Sequence, residues 1–217
     1  MTTASATRQE LRRYLLAATL PHVPFDGWTR ASIDAGAADA GMAAGEARRL
    51  FPEGAGEMVS FFLAEGDRAM LDELSEINLA DMRVRDRIAT AVRIRLEVDG
   101  KHREAVLRAA AMKTGPSGAR ALWRTVDAIW HAAGDTATDF NYYTKRLLLA
   151  GVHSATLLCW LNDDSPGRET TWAFLDRRIA DVMTISTLKA RLPRLRPGPI
   201  ARFAMSRSPL SGCRPDR

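Results

Sequence analysis

The chain reads as an all-α protein. Three observations predict this: alanine-rich stretches are set among straight-chain charged residues, β-branched runs are scarce, and apolar residues recur at helical rather than alternating spacing. With 217 residues, 46% hydrophobic and 26% charged, the composition is globular and suits one large domain or one domain with a small appendage.

The first helix is expected over 7–20, where Leu11, Leu15, Leu16 and Leu20 share a face and the pair Pro21 and Pro24 ends it. Two shorter helices, 29–40 and 44–51, flank Gly41-Met42. A fourth opens after Pro52 and carries Met58, Phe61, Phe62, Met70, Leu71 and Leu74. A short Gly-containing turn between two short helices is the helix-turn-helix signature. Later helices are expected at about 84–98, 101–112, 117–133, 137–161 and 168–189, separated by Gly100, Gly115-Pro116, Gly134-Asp135 and Ser165-Pro166-Gly167. In the first of these, Val84, Ile88, Ala91, Val92 and Leu96 share a face, with Arg83, Arg85, Arg87, Arg93 and Arg95 expected opposite or beside it. Thr138 or Asp139 is the expected N-cap of the helix that follows. Beyond Arg191, Pro193, Pro197, Pro199, Pro209 and Pro215 forbid a continuous helix.

The longest apolar run, 147–161, is interrupted by His153, Ser154 and Thr156. A membrane span needs about 20 residues, so a buried core helix is expected there. Residues 1–10 are polar and carry no secretory signal, and Cys159 and Cys213 make no disulfide framework. A soluble protein of a reducing, cytoplasmic compartment is the expectation.

Charge is unevenly spread. Residues 183–217 hold eight bases against Asp216, a net of +7, and the rest of the chain is −2. Attraction to an anionic surface therefore belongs to the tail. Ile200, Phe203 and Met205 are interleaved with the bases and are the candidate membrane-contacting residues, on a helical piece of at most 200–207. A solvated, unstructured tail is the alternative.

Gly27-Trp28-Thr29, Asp39-Ala40-Gly41-Met42 and Arg49-Leu50-Phe51-Pro52 have the spacing of a TetR-type N-terminal domain. In those repressors the third helix enters the major groove. Here residues 25–66 hold three bases and seven acids, a net of −4, and Glu46 sits inside the would-be recognition helix. DNA affinity comes mainly from neutralised phosphates, so a bundle kept for packing is expected and nucleic acid is not an expected partner. A TetR-type, ligand-responsive repressor remains the alternative function.

No catalytic constellation is readable. There is no Glu-x-x-His pair of the di-iron bundle type, and His22, His102, His131 and His153 are scattered. Two distant cysteines make no zinc site, and no phosphate loop or nucleophile elbow occurs. Asp127 and His131, one turn apart, could pair at the surface, and His153 is expected to be a hydrogen-bonded core residue. No enzyme, metal or cofactor is expected.

The densest pattern is Ile129-Trp130-His131 through Asp135, then Asp139-Phe140-Asn141-Tyr142-Tyr143-Thr144-Lys145-Arg146, then Asp164-Ser165-Pro166 and Thr171-Trp172-Ala173-Phe174-Leu175-Asp176-Arg177-Arg178-Ile179. On these residues the chain resembles the lipid-binding accessory family of ubiquinone biosynthesis, whose fold is TetR-like. The resemblance runs over about 8–183 and is most specific in 129–179. It implies a non-enzymatic binder of isoprenoid lipids that assists the demethoxyubiquinone hydroxylase. It implies docking of that partner on Ile129, Asp139, Tyr142, Tyr143 and Arg146, although Tyr142 stands where the family has Trp. It also implies a homodimer through the last helices, peripheral on the inner face of a bacterial membrane, or on the matrix side in a eukaryote. A cavity between helices is expected to take the prenyl chain, with Trp123, Val126, Trp130, Leu148, Val152 and Thr156 as the candidate lining. Periodicity alone leaves open whether these line a cavity or simply pack. Three parts are expected: a helix-turn-helix-like subdomain at 1–66, a lipid-binding helical domain at 67–190 and a basic, Pro-rich tail at 191–217.

Overall fold

The computed structural model describes residues 7–112, 115–134 and 140–191, the side chains at 44, 140, 141 and 183–191 excepted. Among the described residues the secondary structure is helical throughout. Helix α1 (Arg8–Thr19) begins in a capping box: the Thr7 hydroxyl accepts from the Glu10 N–H at 3.2 Å, and the Glu10 carboxylate accepts from the Thr7 N–H at 2.5 Å. One turn of helix, α2 (Val23–Asp26), follows where the sequence predicts only a break. Pro24 lies in its first turn, where a missing N–H leaves no bond unmade. Helix α3 (Arg30–Asp39) is capped by Thr29, and the turn to α4 (Ala44–Leu50) passes through Gly41 at φ +64°. That is the left-handed region that favours glycine.

Helices α1 and α3 cross without room for a side chain at Gly36. A Cβ there would stand 2.5 Å from Thr19 Oγ1 and 2.6 Å from the Thr19 Cα. The third structural helix of the unit, α4, completes a helix-turn-helix-like bundle around Leu15, Ile33, Ala47 and Phe51, all buried.

Helix α5 (Ala55–Ser75) runs unbroken through the position expected to separate the first two parts, 66/67, and serves both. It packs against α6 (Val84–Val98) and α8 (Gly115–Ala132), and α7 (Arg103–Met112), α9 (Phe140–Leu161) and α10 (Glu169–Arg191) complete the larger part. The two halves share one core. The Trp28 indole stacks against Phe62 with centroids 5.3 Å apart and donates to the Ala105 carbonyl at 2.9 Å, and Arg108 donates to the Pro24 carbonyl at 2.8 Å.

The α9–α10 junction is held by one carboxylate. Asp163 accepts from the backbone N–H and hydroxyl of Ser165 (2.9 and 2.6 Å) and of Thr171 (2.8 and 2.6 Å). The Ser165 and Thr171 bonds hold its pKa well below the usual carboxylate range. Ser165 and Thr171, both within the densest part of the sequence pattern, thus serve to build a turn around Asp163. Helix α9 departs from the buried helix expected, because Tyr143, Leu147 and Leu158 are exposed along it. Among the described residues no helix is long and apolar enough to cross a membrane. Thr138, Asp139, Ile200, Phe203 and Met205, and the expected helical piece at 200–207, lie outside the described residues.

Gly36→Ala is expected to destabilise the fold by about 1–3 kcal/mol through overpacking, read by urea denaturation. Gly45→Ala in α4, where the nearest atom lies 3.9 Å away at the end of the Arg49 side chain, is the control and should cost nothing. Equal effects of the two would show that the α1–α3 crossing is not tight.

Candidate functional site

A cavity of about 390 Å³ lies between α5, α6, α7, α8 and α9. Its apolar wall comes from Leu63, Leu96, Val106, Leu122 and Leu157. The space exists because the facing parts of α7 and α8 carry small residues: Ala109, Ala110, Gly115, Gly118, Ala119 and Ala121. The volume falls within the range of small-molecule sites, and at liquid density it holds roughly a dozen non-hydrogen atoms.

One side of the wall is polar and built on charge. Arg95 is 3% exposed although its neighbours on the same helix placed it among solvated arginines in the sequence. Its guanidinium donates to Asp67 at 2.9 Å, to Asp99 and to the Leu63 carbonyl at 3.3 Å. Asp67 also accepts from Arg124 at 2.7 Å and from the Thr125 hydroxyl at 2.7 Å. Gly66 makes room for this, since a Cβ there would come within 2.8 Å of the Arg95 guanidinium. Two arginines and two aspartates cancel, so the cluster ties α5, α6 and α8 together without leaving a net charge on the cavity.

His153 on α9 lines the same cavity and is 7% exposed. Its Nδ1 is buried with no hydrogen-bond partner among the described residues, which corrects the expectation of a hydrogen-bonded core histidine. Burial, aided by the charge of Arg95, lowers its pKa from 6.5 to about 4. The imidazole is therefore neutral at physiological pH.

None of the six residues expected to line a lipid cavity is in this wall. Val126 and Thr156 are wholly buried, the latter donating to the Val152 carbonyl at 2.7 Å, and Leu148 is half-buried. Trp130 and Val152 face a separate, small pocket of about 30 Å³, with Lys145 and Ile179. That is room for about one water. Trp123 instead joins the aromatic group of the expected partner surface, its ring 6.4 Å from Tyr142 and 6.1 Å from Tyr143.

That surface is partly assembled. Arg146 stacks over Tyr142 with 3.4 Å from guanidinium carbon to ring centroid and donates to Asp127 at 2.7 Å, and the Tyr142 hydroxyl donates to the same oxygen at 3.0 Å. Asp127 thus pairs with Arg146 and Tyr142 rather than with His131. These bonds, opposed by burial, hold the Asp127 pKa below its ordinary value. Tyr143 is 60% exposed and Tyr142 half-buried, whereas Arg146 is 3% exposed and Ile129 is 0% exposed. Ile129 can support such a surface from beneath but has no area with which to touch a partner. The missed residues, Arg95 and His153, were distinguishable in sequence only as single charged or polar residues inside apolar helical runs.

The helix-turn-helix unit, once α1 is included, spans 7–66 and holds six bases against eight acids. Arg12 and Arg13 are paired with Glu57 at 2.8 Å and Glu65 at 2.7 Å, and Arg30 with Asp34 at 3.2 Å. Arg8 donates to the Arg49 carbonyl at 3.3 Å; the unit is acidic, and four of its six bases are engaged internally.

Fold and site together define an all-α, TetR-like protein with a ligand-sized cavity in its larger helical part. The TetR transcriptional regulator from Nitrosomonas europaea ATCC 19718 superimposes with a TM-score of 0.65, covering 80% of this chain and 98% of that one at 20% identity. The COQ9 family profile matches residues 115–186. The ubiquinone biosynthesis protein COQ9 of Rattus norvegicus is 33% identical over 190 residues, covering 82% of this chain and 61% of its own length. Those of Xenopus tropicalis and Homo sapiens are 31% and 30% identical, covering 83% and 82% of this chain and 60% and 59% of their own lengths. The chain is a homologue of the COQ9 proteins, and its residues 115–186 belong to the COQ9 family. It spans about 60% of the length of the relatives it matches.

Two outcomes are expected at this site. Between pH 6.5 and 4 the unfolded chain binds a proton at His153 that the folded chain refuses. The stability this group supports is therefore complete above pH 6.5 and falls as pH drops, by about 3 kcal/mol at pH 4. Denaturation of His153→Leu across that window should show a flatter pH dependence than the wild type; superimposable slopes would contradict the burial. Arg95→Leu should cost about 3–5 kcal/mol, because it leaves Asp99 buried without its partner and Asp67 with Arg124 as its one remaining charge partner among the described residues, and a loss under 1 kcal/mol would show the cluster to be solvated.

Proposed function

We propose that this chain is a non-catalytic accessory protein of ubiquinone biosynthesis. In this reading it binds an isoprenoid quinone precursor and presents it to the demethoxyubiquinone hydroxylase at a membrane surface. One observation carries the proposal: much of the apolar cavity's wall, from α8 and α9, lies inside the segment that matches the COQ9 family. A cavity with apolar walls and a few converging polar groups is the usual form of a small-molecule site.

The volume refines the reading. Roughly a dozen non-hydrogen atoms suffice for a ring and its first isoprene unit but not for a long prenyl chain. Leu158, which lines the cavity and is 61% exposed, offers apolar surface for the remainder to leave along. The exposed Tyr143 beside Tyr142 and Trp123 supports a docking surface for the partner, and the exposed Leu147 on α9 supports a homodimer through the last helices. The +7 tail supports attachment to anionic lipid, with each base near the surface contributing about 1 kcal/mol. The relatives named above are mitochondrial proteins; the site proposed for this chain is the inner face of a bacterial membrane or the matrix side in a eukaryote. The rival, a DNA-binding repressor, is favoured by fold alone and opposed by the acidic helix-turn-helix unit.

Native mass spectrometry of the protein purified from ubiquinone-producing cells tests the proposal. A co-purified isoprenoid lipid is expected in the wild type. It should be absent from Ala119→Trp, which plugs the cavity at an exposed position of its rim. No lipid in the wild type, or equal amounts in both, would contradict it.

A further inference from the structure

Three exposed apolar residues stand at the corner where α5 turns into α6. Leu71 lies one turn before the end of α5, Ile77 is in the connection and Val84 is the first residue of α6. An apolar patch rimmed by polar residues marks an interaction site. The rim here carries one sign of charge: residues 71–82 hold Asp72, Glu73, Glu76 and Asp81 and no base, a net of −4. Asp72 is paired with Arg68 at 2.5 Å, and Asp81 accepts from the Asn78 amide at 2.6 Å. Glu73 and Glu76 are exposed and make no ion pair among the described residues. Both sit at the C-terminal end of α5, whose last turn holds no base, so they add to the negative end of the helix dipole. Arg83 and Arg85 border the corner on the side of α6, and Arg85 is paired with Asp86 at 3.3 Å.

This chemistry selects the occupant. An anionic bilayer is repelled by the acids, and a second copy presenting the same corner would set −4 against −4. What fits is a segment with bases set between apolar side chains, and the chain carries one. Residues 192–217 hold six arginines against Asp216, a net of +5, with Ile200, Phe203 and Met205 set among Arg194, Arg196, Arg202 and Arg207.

That segment also starts at the right end of the molecule. Arg93 stacks over Trp172 at 4.8 Å, and Ile88 shares the small pocket with Ile179 and Val182. Helix α10 therefore runs antiparallel to α6. Past Val182 it continues to Arg191, about 13 Å of helix, which carries it beyond the start of α6. Phe203 follows twelve residues later, a reach of up to about 40 Å when extended. A segment tethered this way meets the corner at an effective concentration on the order of millimolar, so contacts of modest strength hold it.

We propose that residues 192–217 dock on the α5–α6 corner of their own chain and that an anionic bilayer competes for the same segment. The bases face Glu73 and Glu76, and the apolar residues cover Leu71, Ile77 and Val84. One set of arginines cannot serve lipid and corner at once, so attachment to a membrane uncovers the corner. The competition rests on the tail being the membrane contact; the docking does not.

Hydrogen exchange of the full-length protein without lipid is the test, with mass spectrometry reading the amides at 71–84. Relative to wild type, exchange there should be about three- to tenfold faster in Arg194→Gln/Arg196→Gln/Arg202→Gln, in Glu73→Gln/Glu76→Gln, and in wild type at about 1 M salt. Vesicles of phosphatidylglycerol should bring the wild type to the rate of the arginine variant. In flotation with those vesicles, Glu73→Gln/Glu76→Gln should bind more tightly than wild type. Asp26→Asn/Glu53→Gln, the same change of charge in the helix-turn-helix unit, should not. Equal exchange in wild type and the arginine variant overturns the docking. So does protection that grows with protein concentration, which assigns the contact to a second copy. Protection kept on vesicle-bound protein overturns the competition. If the wild type does not float at all, membrane attachment falls, while exchange without lipid still decides the docking.

Discussion

The buried ion-pair cluster around Arg95 is the constraint on which the larger part of the molecule depends. Three helices supply its members: Asp67 from α5, Arg95 from α6 with Asp99 just after it, and Arg124 with Thr125 from α8. A charge held at 3% exposure is tolerated only if its bonds are nearly all made. The Asp67 carboxylate therefore sets the distance and rotation of α5 relative to α6 and α8, while Asp99 holds the Arg95 guanidinium in place from the end of its own helix. Gly66 is part of the same constraint, because any larger residue would displace the guanidinium from Asp67. With the frame set by charge, small residues on α7 and α8 can leave space without collapse of the surrounding core, and that space is the cavity.

This arrangement separates two roles that one set of polar residues usually shares. The cluster spends its hydrogen bonds on holding helices and has none left for a ligand. His153, on α9, stands outside the cluster, its Nδ1 buried without a partner among the described residues. At the opposite end of the chain, Arg12 and Arg13 show the same economy: they are bound to Glu57 and Glu65 rather than offered to phosphate.

The fold was legible in the sequence because its signals are local. Thr7 with Glu10, Thr29 with Ser32 and the turn at Gly41 each act within a few residues, and the helix limits expected from them differ from those found by a residue or two. Helix α2 was missed because two prolines read as a stop, although Pro24 suits a first turn. The site was less legible, for a physical reason. Large aromatics suggested a lining, but Trp123 went to the surface group beside the two tyrosines and Trp130 was buried beside a pocket fit for one water. Bulky side chains fill space, whereas cavities form where small ones face each other, as Gly118, Ala119 and Ala121 do. Arg95 looked like one more solvated arginine because its partners lie 28 residues upstream, at Asp67, as well as one turn ahead. Burial of that kind depends on contacts distant in sequence, which periodicity does not encode.

The most direct measurement is a crystal structure of the protein with 4-butylphenol bound. The phenol ring is expected inside the cavity between α6 and α8, its chain directed toward Leu158, with Arg95 still bonded to Asp67 and Asp99. A ligand seated outside this cavity, or an Arg95 guanidinium turned from its aspartates to meet it, would contradict this.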